Sequence, residues 1–398
     1  MFVFKLGELK KTMCRGMVSD IKMVDSTLRE GEQAPGVAFT VEEALKIVEY
    51  DLKVGVDLIE VFAPYSEYEL RLLRELRRRG LSSKTLVWCR LRRGDLDMAL
   101  NEEPGWIAVS MGVSDIHLKR KFRGLNREDV LARLSETVDY LHSHGVKVSV
   151  HLEDSTRTRV EHIAEAFEKV NGDKFRDCDT LSVLLPPVAY ERMRLLKRLT
   201  DKPIETHYHN DFGMAVGNTV SAIMAGAEWV SATWNGIGER AGNAALEEVL
   251  LTLKVRLGVD RFDLRPLREA CRFVAQAART PLSRNKPVSG SEIFSVESGI
   301  HQDGLLKDRQ VYEPYPPELL GETWKLVLGD SSGKAGLTHV LNHELGYKLP
   351  DDPREVREIL SWIRRRAREE KHYLSRSELE EVAKRFSLKK RSHLDRAK

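Results

Sequence analysis

Two histidines spaced two residues apart are the feature of this sequence that most directly suggests chemistry. They are His207 and His209, in the segment IETHYHND, and Glu205 stands two residues before His207. Alternate side chains of a β-strand point to one face, so the three residues would share a face of an extended segment. Two imidazoles and a carboxylate from elsewhere in the chain form a divalent-metal site with open coordination positions. An isolated His-x-His is more often two ordinary polar residues, so the metal interpretation depends on finding that carboxylate.

Short apolar, strand-like runs alternate with amphipathic helical patterns along most of the chain. The helical patterns include VEEALKIVEYDLKVG and REDVLARLSETVDYLHSHG, each ending at a glycine typical of a helix C-cap. Eight such strand–helix pairs over about 250 residues predict an α/β fold, the (β/α)8 TIM barrel. An open doubly wound sheet is the alternative, and it is disfavoured because no GxGxxG follows the first strand. The predicted strands are residues 21–28, 57–63, 85–91, 106–113, 147–154, 180–186, 204–211 and 229–238.

Polar segments follow nearly every predicted strand. DSTLREGEQ, which contains Arg29 and Glu30, follows the first strand, and HYHND and NGIGERAGN follow the seventh and eighth. The C-terminal ends of barrel strands meet at one mouth, so these distant segments should converge there. Glu30 then supplies the missing carboxylate, and Glu30, His207 and His209 form the predicted metal site.

Composition excludes several classes of protein. The 398 residues carry a formal net charge of only +3, which gives no indication of a nucleic-acid partner. No apolar run approaches the ~20 residues of a membrane span, and the N-terminal segment lacks the apolar core of a signal peptide. Four scattered cysteines without a CxxC pattern argue against disulfides and thiolate zinc sites, and favour the reducing cytoplasm.

The chain is predicted to have four parts. These are an N-terminal extension (1–19), the barrel (20–260), a linker and lid (261–334) and a helical C-terminal region (335–398). The last part contains the helical patterns PREVREILSWIRRRAREEK and SRSELEEVAKRF, the second of which opens with a capping-box sequence. The arginine-rich RRRAREE is interpreted as a solvated helix face rather than a nucleic-acid site, although it could offer cations to the phosphates of coenzyme A.

Four motifs in this order resemble the DRE-TIM metallolyase superfamily, and within it the 2-isopropylmalate, homocitrate and citramalate synthases. They are DSTLREGEQAPGV, HYHNDFG, GIGERAGN and ESGIHQDGLLKD, and the resemblance runs from about residue 20 to about residue 335. It implies condensation of acetyl-CoA with a 2-oxo acid on a divalent cation (Mg²⁺, Mn²⁺ or Zn²⁺), by a homodimer with a shared active site. A leucine-sensing regulatory domain would need roughly a hundred further residues, so none is expected.

The resemblance also implies roles for individual residues. Arg29 matches an arginine that stabilises charge on the former ketone oxygen, and His301 a general base that takes the acetyl methyl proton. Asn243 matches an asparagine at or near the metal, with a helix N-cap as the alternative. The remaining catalytic candidates are Glu239 and Tyr312. The loop of GIGERAGN has no cysteine, which favours a synthase over the acyl-CoA lyases of the superfamily. A catalytically inactive barrel is disfavoured because the predicted catalytic residues and metal ligands all occur together.

The predicted substrate-binding residues come from several strand ends. Arg90 and His151 favour a second carboxylate on the substrate, because a buried charge needs donors or cations. Among dicarboxylates 2-oxoglutarate is chosen, which predicts a homocitrate synthase. The alternatives are 2-isopropylmalate synthase, citramalate synthase and the citrate synthase of Re specificity. Ser149 stands where fungal-type homocitrate synthases have an arginine, which counts against that type. The other predicted substrate-binding residues are Gln33, Thr180 and Glu205.

Overall fold

A computed structural model describes residues 20–122 and 124–390, so the predicted N-terminal extension lies outside the described residues. The chain forms two compact units, Met1–Ser283 with Pro287–Ser289, and Arg284–Lys286 with Gly290–Lys398. The division falls later than the predicted boundary at residue 260, because the helix Leu267–Ala277 belongs to the barrel unit. Glu269 of this helix accepts a hydrogen bond of 2.8 Å from the Tyr50 hydroxyl. Most of the predicted linker and lid falls in the second unit with the C-terminal region, whereas residues 261–283 and 287–289 belong to the barrel unit.

The first unit contains a closed barrel of eight parallel strands in sequence order, with β8 paired to β1. This arrangement confirms the predicted (β/α)8 barrel. Buried strand residues that include Val24, Leu86 and Ala108 form one apolar cluster, and the partly buried Trp88 and Trp106 pack against it. The strands β1 to β8 are Lys22–Asp25, Leu58–Phe62, Thr85–Cys89, Trp106–Gly112, Lys147–Glu153, Lys174–Asp179, Ile204–Tyr208 and Trp229–Ala232.

Helices follow the strands and cover the barrel. Val41–Val54 begins at a capping box between Thr40 and Glu43 and ends at Gly55, whose φ of 94° is the left-handed conformation that glycine adopts most easily. The other helices of this unit are Glu67–Arg78, Arg93–Leu100, Asp115–Arg120, Arg127–Ser143, Val160–Lys169, Pro186–Leu196, Ala215–Met224, Leu246–Thr252 and Leu267–Ala277.

The sixth strand is the one element whose predicted position is wrong. The prediction placed it at 180–186, whereas β6 is Lys174–Asp179 and residues 180–185 form the turn before the helix Pro186–Leu196. The sequence of β6, KFRDCD, has four charged residues and looks like a loop. All six residues are nevertheless buried, because Lys174 and Arg176 find carboxylates inside the barrel.

The second unit is mostly helical, as predicted. Its core is formed by apolar residues that include Leu337, Ile359, Ile363 and Val382. Its helices are Gly299–Lys307, Lys334–Thr338, Pro353–Glu370 and Arg376–Arg385, and the last begins at the predicted capping box, Ser375 with Glu378. Two short strand pairs, Ser295–Val296 with Lys325–Leu326 and Tyr347–Lys348 with Lys389–Lys390, complete the unit. Across both described ranges, no helix has the length and apolar character needed to cross a bilayer.

Candidate active site

A polar cavity of about 220 Å³ lies at the C-terminal ends of the barrel strands. It gathers residues from the ends of β1, β5, β6 and β7 and from the loop after β8, which are far apart in sequence. Eight of the residues predicted from the sequence line it: Arg29, Glu30, Gln33, His151, Thr180, His207, His209 and Glu239.

Glu30, His207 and His209 form a cluster that could hold a metal ion. Nε2 of His207 lies 3.6 Å from Oε2 of Glu30, and Nε2 of His209 lies 3.8 Å from Oε1. The three candidate ligand atoms lie within 4.8 Å of one another, and all three residues are buried. The convergence that the His-x-His spacing suggested is therefore present in the structure.

The polar groups at this cluster fit a bound cation. Oε1 of Glu30 is buried and has no hydrogen-bond partner among the described residues. An unsatisfied buried carboxylate oxygen is costly, and a cation would remove that cost. Nδ1 of His207 lies 3.0 Å from Oγ of Ser231, which fixes the ring with Nε2 toward Glu30. Burial, followed by the charge of Arg176, holds the pKa of His207 well below its ordinary value, so the imidazole is in the neutral form that binds metals.

Asn243 lies beside this cluster. Its backbone forms an isolated antiparallel bridge with His209, and its amide oxygen and nitrogen are buried without a partner in the described chain. A Cβ atom added to Gly238 would lie 2.3 Å from Nδ2 of Asn243 and 3.5 Å from Cγ of Glu30, so a side chain at position 238 would displace the Asn243 amide. The alternative that Asn243 caps a helix is wrong, because the helix begins at Leu246 and its N-cap is Ala245.

Arg29 is held in a fixed position next to Glu30. Its Nη1 forms an ion pair with the Glu30 carboxylate, and its guanidinium group lies 4.9 Å from the ring centre of Trp88 and 5.9 Å from that of Phe62. Only 11% of its side chain is exposed. The arginine therefore presents a desolvated positive charge at the position where the sequence analysis expected one.

Two predicted substrate-binding residues do not reach the cavity. Arg90 follows the last residue of β3, and its side chain turns toward Asp95, with Nε 2.6 Å from Oδ2, and stacks over the ring of Tyr65. Glu205 is completely buried inside the barrel, where it pairs with Lys174 and Arg176. Neither side chain lines the cavity, because the Arg90 side chain is paired with Asp95 and the Glu205 carboxylate is paired inside the barrel.

A buried charge network beneath the cavity escaped the sequence analysis. Arg176 of β6 donates from Nη1 to Glu60 of β2 at 2.9 Å, and its Nη2 lies 2.5 Å from Oε1 of Glu205. Oγ of Ser26 donates to the other oxygen of Glu60 at 2.7 Å. Burial raises the pKa of Glu60, but Arg176 and Arg29 outweigh burial and bring it below its ordinary value. The charged residues within LIEVF and KFRDCD were the available signal, because a charge inside a buried strand needs a partner.

His151 is part of this network rather than a free cation. Its Nδ1 lies 3.9 Å from Oε1 of Glu60, and its Nε2 lies 3.1 Å from Oγ of Ser149. Burial and then the charge of Arg176 hold its pKa well below the ordinary value. His151 is therefore neutral, and it can offer a substrate a hydrogen bond but not a charge.

Arg240 orders the rim of the cavity. Its Nη2 donates to the carbonyl oxygen of Thr180 at 2.7 Å and to Asp211 at 2.9 Å, which ties the loop after β8 to the ends of β6 and β7. Nη1 of Arg240 lies 3.7 Å from Glu239, which is half exposed. The Thr180 hydroxyl accepts a hydrogen bond of 2.9 Å from the backbone of Asp154 and still lines the cavity.

His301 and Tyr312 lie in the second unit. Their ring centres are 4.3 Å apart, and both side chains are exposed. A Cβ atom at Gly304 would lie 2.5 Å from the Tyr312 ring, so the absent side chain lets the ring pack on the helix backbone. The structure thus brings the two residues together, while their catalytic role stays a prediction.

The fold and the site together define a class of protein, a closed (β/α)8 barrel with a candidate metal centre. This centre lies at the C-terminal mouth and contains a glutamate and two histidines, with an arginine beside them. The chain belongs to the HMGL-like family, within the DRE-TIM superfamily that its motifs resemble. The HMGL-like family model matches residues 20–274, and a model described as homocitrate synthase post-HMGL domain-like matches residues 288–386.

Three curated relatives show the breadth of this resemblance. A putative (R)-citramalate synthase CimA of Methanopyrus kandleri is 39% identical over 87% of this chain and 69% of its own length. A homocitrate synthase AksA of the same organism is 38% identical over 92% of both chains. A probable 2-isopropylmalate synthase of Ignicoccus hospitalis is 39% identical over 87% of both chains.

Solved structures support the fold alone. The crystal structure of hydroxymethylglutaryl-CoA lyase from Pseudomonas aeruginosa aligns with a TM-score of 0.55 at 17% identity. The alignment covers 65% of this chain and 93% of the lyase.

Proposed function

We propose that this protein condenses acetyl-CoA with a 2-oxo acid on a divalent metal ion. The observation that carries the proposal is the buried Glu30–His207–His209 cluster directly beside Arg29. The curated relatives bear the names of three synthases, and the loop after β8 has no cysteine of the kind that the lyases of the superfamily carry.

Glu30, His207 and His209 would hold the ion, with Asn243 beside them. When bound, a divalent ion supplies Lewis acidity toward the ketone of the 2-oxo acid. Arg29 contributes a fixed positive charge, because its ion pair and its two aromatic neighbours keep the guanidinium group in place. A preorganised cation stabilises the negative charge that develops on the ketone oxygen as the new carbon–carbon bond forms.

The methyl proton of acetyl-CoA needs a base. In our proposal the His301 imidazole accepts it, with Tyr312 against the ring, and water then hydrolyses the thioester to release coenzyme A. We further propose a homodimer in which this pair serves the barrel of the partner subunit. Ile300 and Val311 directly precede His301 and Tyr312 in sequence, and their exposed fractions of 75% and 55% suit an interface.

Mixing two inactive variants tests the shared site. A His301→Ala protein and an Arg29→Lys protein, mixed and allowed to exchange subunits, should regain activity if each site takes one residue from each subunit. Activity that stays at the level of the separate variants, with subunit exchange verified, would show that each chain completes its own site.

The 2-oxo acid is proposed to carry a second carboxylate. Within the part of the chain that the structure describes, no Leu, Ile or Val side chain lines the cavity, so a branched apolar tail would find few apolar contacts. Arg176 and Lys121 line the cavity and can donate hydrogen bonds to a second carboxylate in place of Arg90. Within the chain Arg176 pairs with Glu60 and Glu205, and Lys121 lies 2.7 Å from Glu153. We choose 2-oxoglutarate, hence homocitrate synthase, since the relative with that name matches 92% of both chains.

Coenzyme A release across a panel of 2-oxo acids tests this choice. With acetyl-CoA and a divalent metal, free thiol should appear fastest with 2-oxoglutarate and slowly with 2-oxoisovalerate or pyruvate. A site built to pair a charged group discriminates steeply, because the wrong ligand leaves polar groups unpaired. A preference for pyruvate would indicate citramalate synthase instead, a preference for 2-oxoisovalerate would indicate 2-isopropylmalate synthase, and a preference for oxaloacetate would indicate citrate synthase. Release with none of them would refute the condensation.

A further inference from the structure

A cavity in the second unit is lined by arginines. Its volume is about 660 Å³, which is within the range of small-molecule sites. Four arginines of the helix Pro353–Glu370 line it, together with Leu360, Ser361 and a single carboxylate, Asp330. The four are Arg357, Arg364, Arg365 and Arg368.

The helix directs these arginines to one side. Residues 357, 361, 364, 365 and 368 follow the three- and four-residue spacing that places side chains on one face. The opposite face, with Val356, Ile359, Ile363 and Ala367, is buried in the core of the unit. Four of the six arginines of the helix therefore line the cavity.

Two of the arginines are held in place by the chain itself. Arg364 donates from Nε and Nη2 to the carbonyl oxygen of Ser332, at 3.1 and 2.6 Å. Arg368 donates from the same two nitrogens to Oδ1 of Asp330, at 3.2 and 2.9 Å. These contacts fix two guanidinium groups at the cavity wall before any ligand arrives.

The other two have no such partners. Arg357 and Arg365 make no hydrogen bond or ion pair to any described residue, although Glu369 stands four residues after Arg365. On the same helix Arg366, outside the cavity, does pair with Glu370 at 2.7 Å. Four guanidinium groups thus surround the cavity with one carboxylate to offset them, and such an excess of positive charge favours a bound anion.

We propose that this cavity binds the phosphate or pyrophosphate group of a small molecule. Planar guanidinium forks match the oxygens of a phosphate group, and several of them suit its multiple charge better than a single carboxylate. The remainder of the ligand would lie against Leu360 and Ser361. The concave shape and the acidic residues on the same helix disfavour a nucleic-acid strand. The same chemistry is available from coenzyme A and from a free nucleotide.

Direct titration of the whole protein tests this site. Inorganic pyrophosphate, ADP and coenzyme A are each titrated calorimetrically into wild type, the double variant Arg357→Gln/Arg365→Gln and the control Arg366→Gln. At least one probe should bind wild type, and the double variant should weaken it by about tenfold or more, the loss expected for charge-assisted contacts. The control removes a charge from the same helix and should change the affinity by less than about twofold.

Kinetics then identify the source of the phosphate. A raised KM for acetyl-CoA at unchanged kcat in the double variant assigns the cavity to coenzyme A, whereas weakened ADP binding at an unchanged KM assigns it to a separate nucleotide. The inference does not rest on the condensation, because calorimetry measures binding directly. It is overturned if no probe binds wild type with a Kd below about 1 mM, or if the double variant binds as wild type does.

Discussion

Replacement of Arg29 by lysine separates charge stabilisation from metal binding. Arg29 touches the Glu30 carboxylate and lies against the rings of Trp88 and Phe62, and it is not a member of the Glu30–His207–His209 cluster. Lysine keeps the positive charge but loses the planar fork and its stacking on the rings. The proposed metal ligands remain, so the site should still take up the ion.

The expected magnitude follows from the burial of the guanidinium group. With 11% of the side chain exposed, little water can replace it as a partner of the developing oxyanion. Loss of one preorganised donor in a desolvated site costs about 10²- to 10³-fold in kcat, or about 2.7–4 kcal/mol. If the lysine ammonium reaches the position of the guanidinium group, it recovers part of this loss. The decrease in kcat should then be about 10²-fold, the lower end of the range.

The assay measures metal content and coenzyme A release in the same preparation. Arg29→Lys should contain as much metal as wild type and have a kcat lower by two to three orders of magnitude. Arg90→Lys is the matched control, because Arg90 pairs with Asp95 outside the cavity and its replacement should leave kcat nearly unchanged. Loss of metal from Arg29→Lys would refute the reasoning, since it would show that Arg29 maintains the site. A kcat within a few fold of wild type would also refute it.

Three further changes test other parts of the site. His209→Ala should abolish both metal binding and coenzyme A release, and activity at the wild-type rate after chelator treatment would contradict the assignment of the ligand. Arg176→Met leaves buried carboxylates unpaired and should lower the free energy of unfolding by about 3–5 kcal/mol, measured by urea denaturation. Its control, Arg78→Met, removes an arginine from a surface pair with Glu75 and should change stability by less than about 1 kcal/mol. His151→Leu should raise the KM for 2-oxoglutarate and reduce the ratio of kcat/KM for 2-oxoglutarate to kcat/KM for 2-oxoisovalerate. If this ratio is the same as in wild type, His151 does not take part in substrate recognition.

The barrel and the metal cluster could be predicted from the sequence because both depend on simple periodicities. Seven of the eight strands fall within predicted apolar runs. His207 lies in β7, and His209 lies directly after it in a bridge with Asn243 that continues the extended backbone, so their two-residue spacing brings both side chains to the cavity. Glu30 could be added because the ends of parallel barrel strands meet at one mouth. These inferences need no knowledge of side-chain contacts.

The misplaced strand shows where this approach fails. Hydropathy assigns KFRDCD to the surface, whereas Lys174 and Arg176 are buried because Glu60 and Glu205 arrive from other strands to neutralise them. Such pairing is a tertiary property and leaves only a weak signal, a charge within an otherwise apolar run such as the one around Glu60.

Side chains just beyond a strand are equally hard to place. Arg90 follows the end of β3, where the alternation of the strand no longer fixes direction, and Asp95 on the next helix draws it outward. Asn243 was also predicted as a possible helix cap, and only the position of the helix start at Leu246 excludes that role. Local patterns identified both residues, while tertiary structure determined where each side chain lies.

Metal reconstitution tests the central claim most directly. Protein dialysed against a chelator is assayed for coenzyme A release from acetyl-CoA and 2-oxoglutarate, before and after Mg²⁺, Mn²⁺ or Zn²⁺ is returned. The account predicts no release without metal, recovery with at least one of these ions, and no recovery in His207→Ala protein that remains folded. Full release from metal-free protein, or recovery in that variant to the wild-type rate, would contradict the assignment of Glu30, His207 and His209 as the site of a catalytic metal.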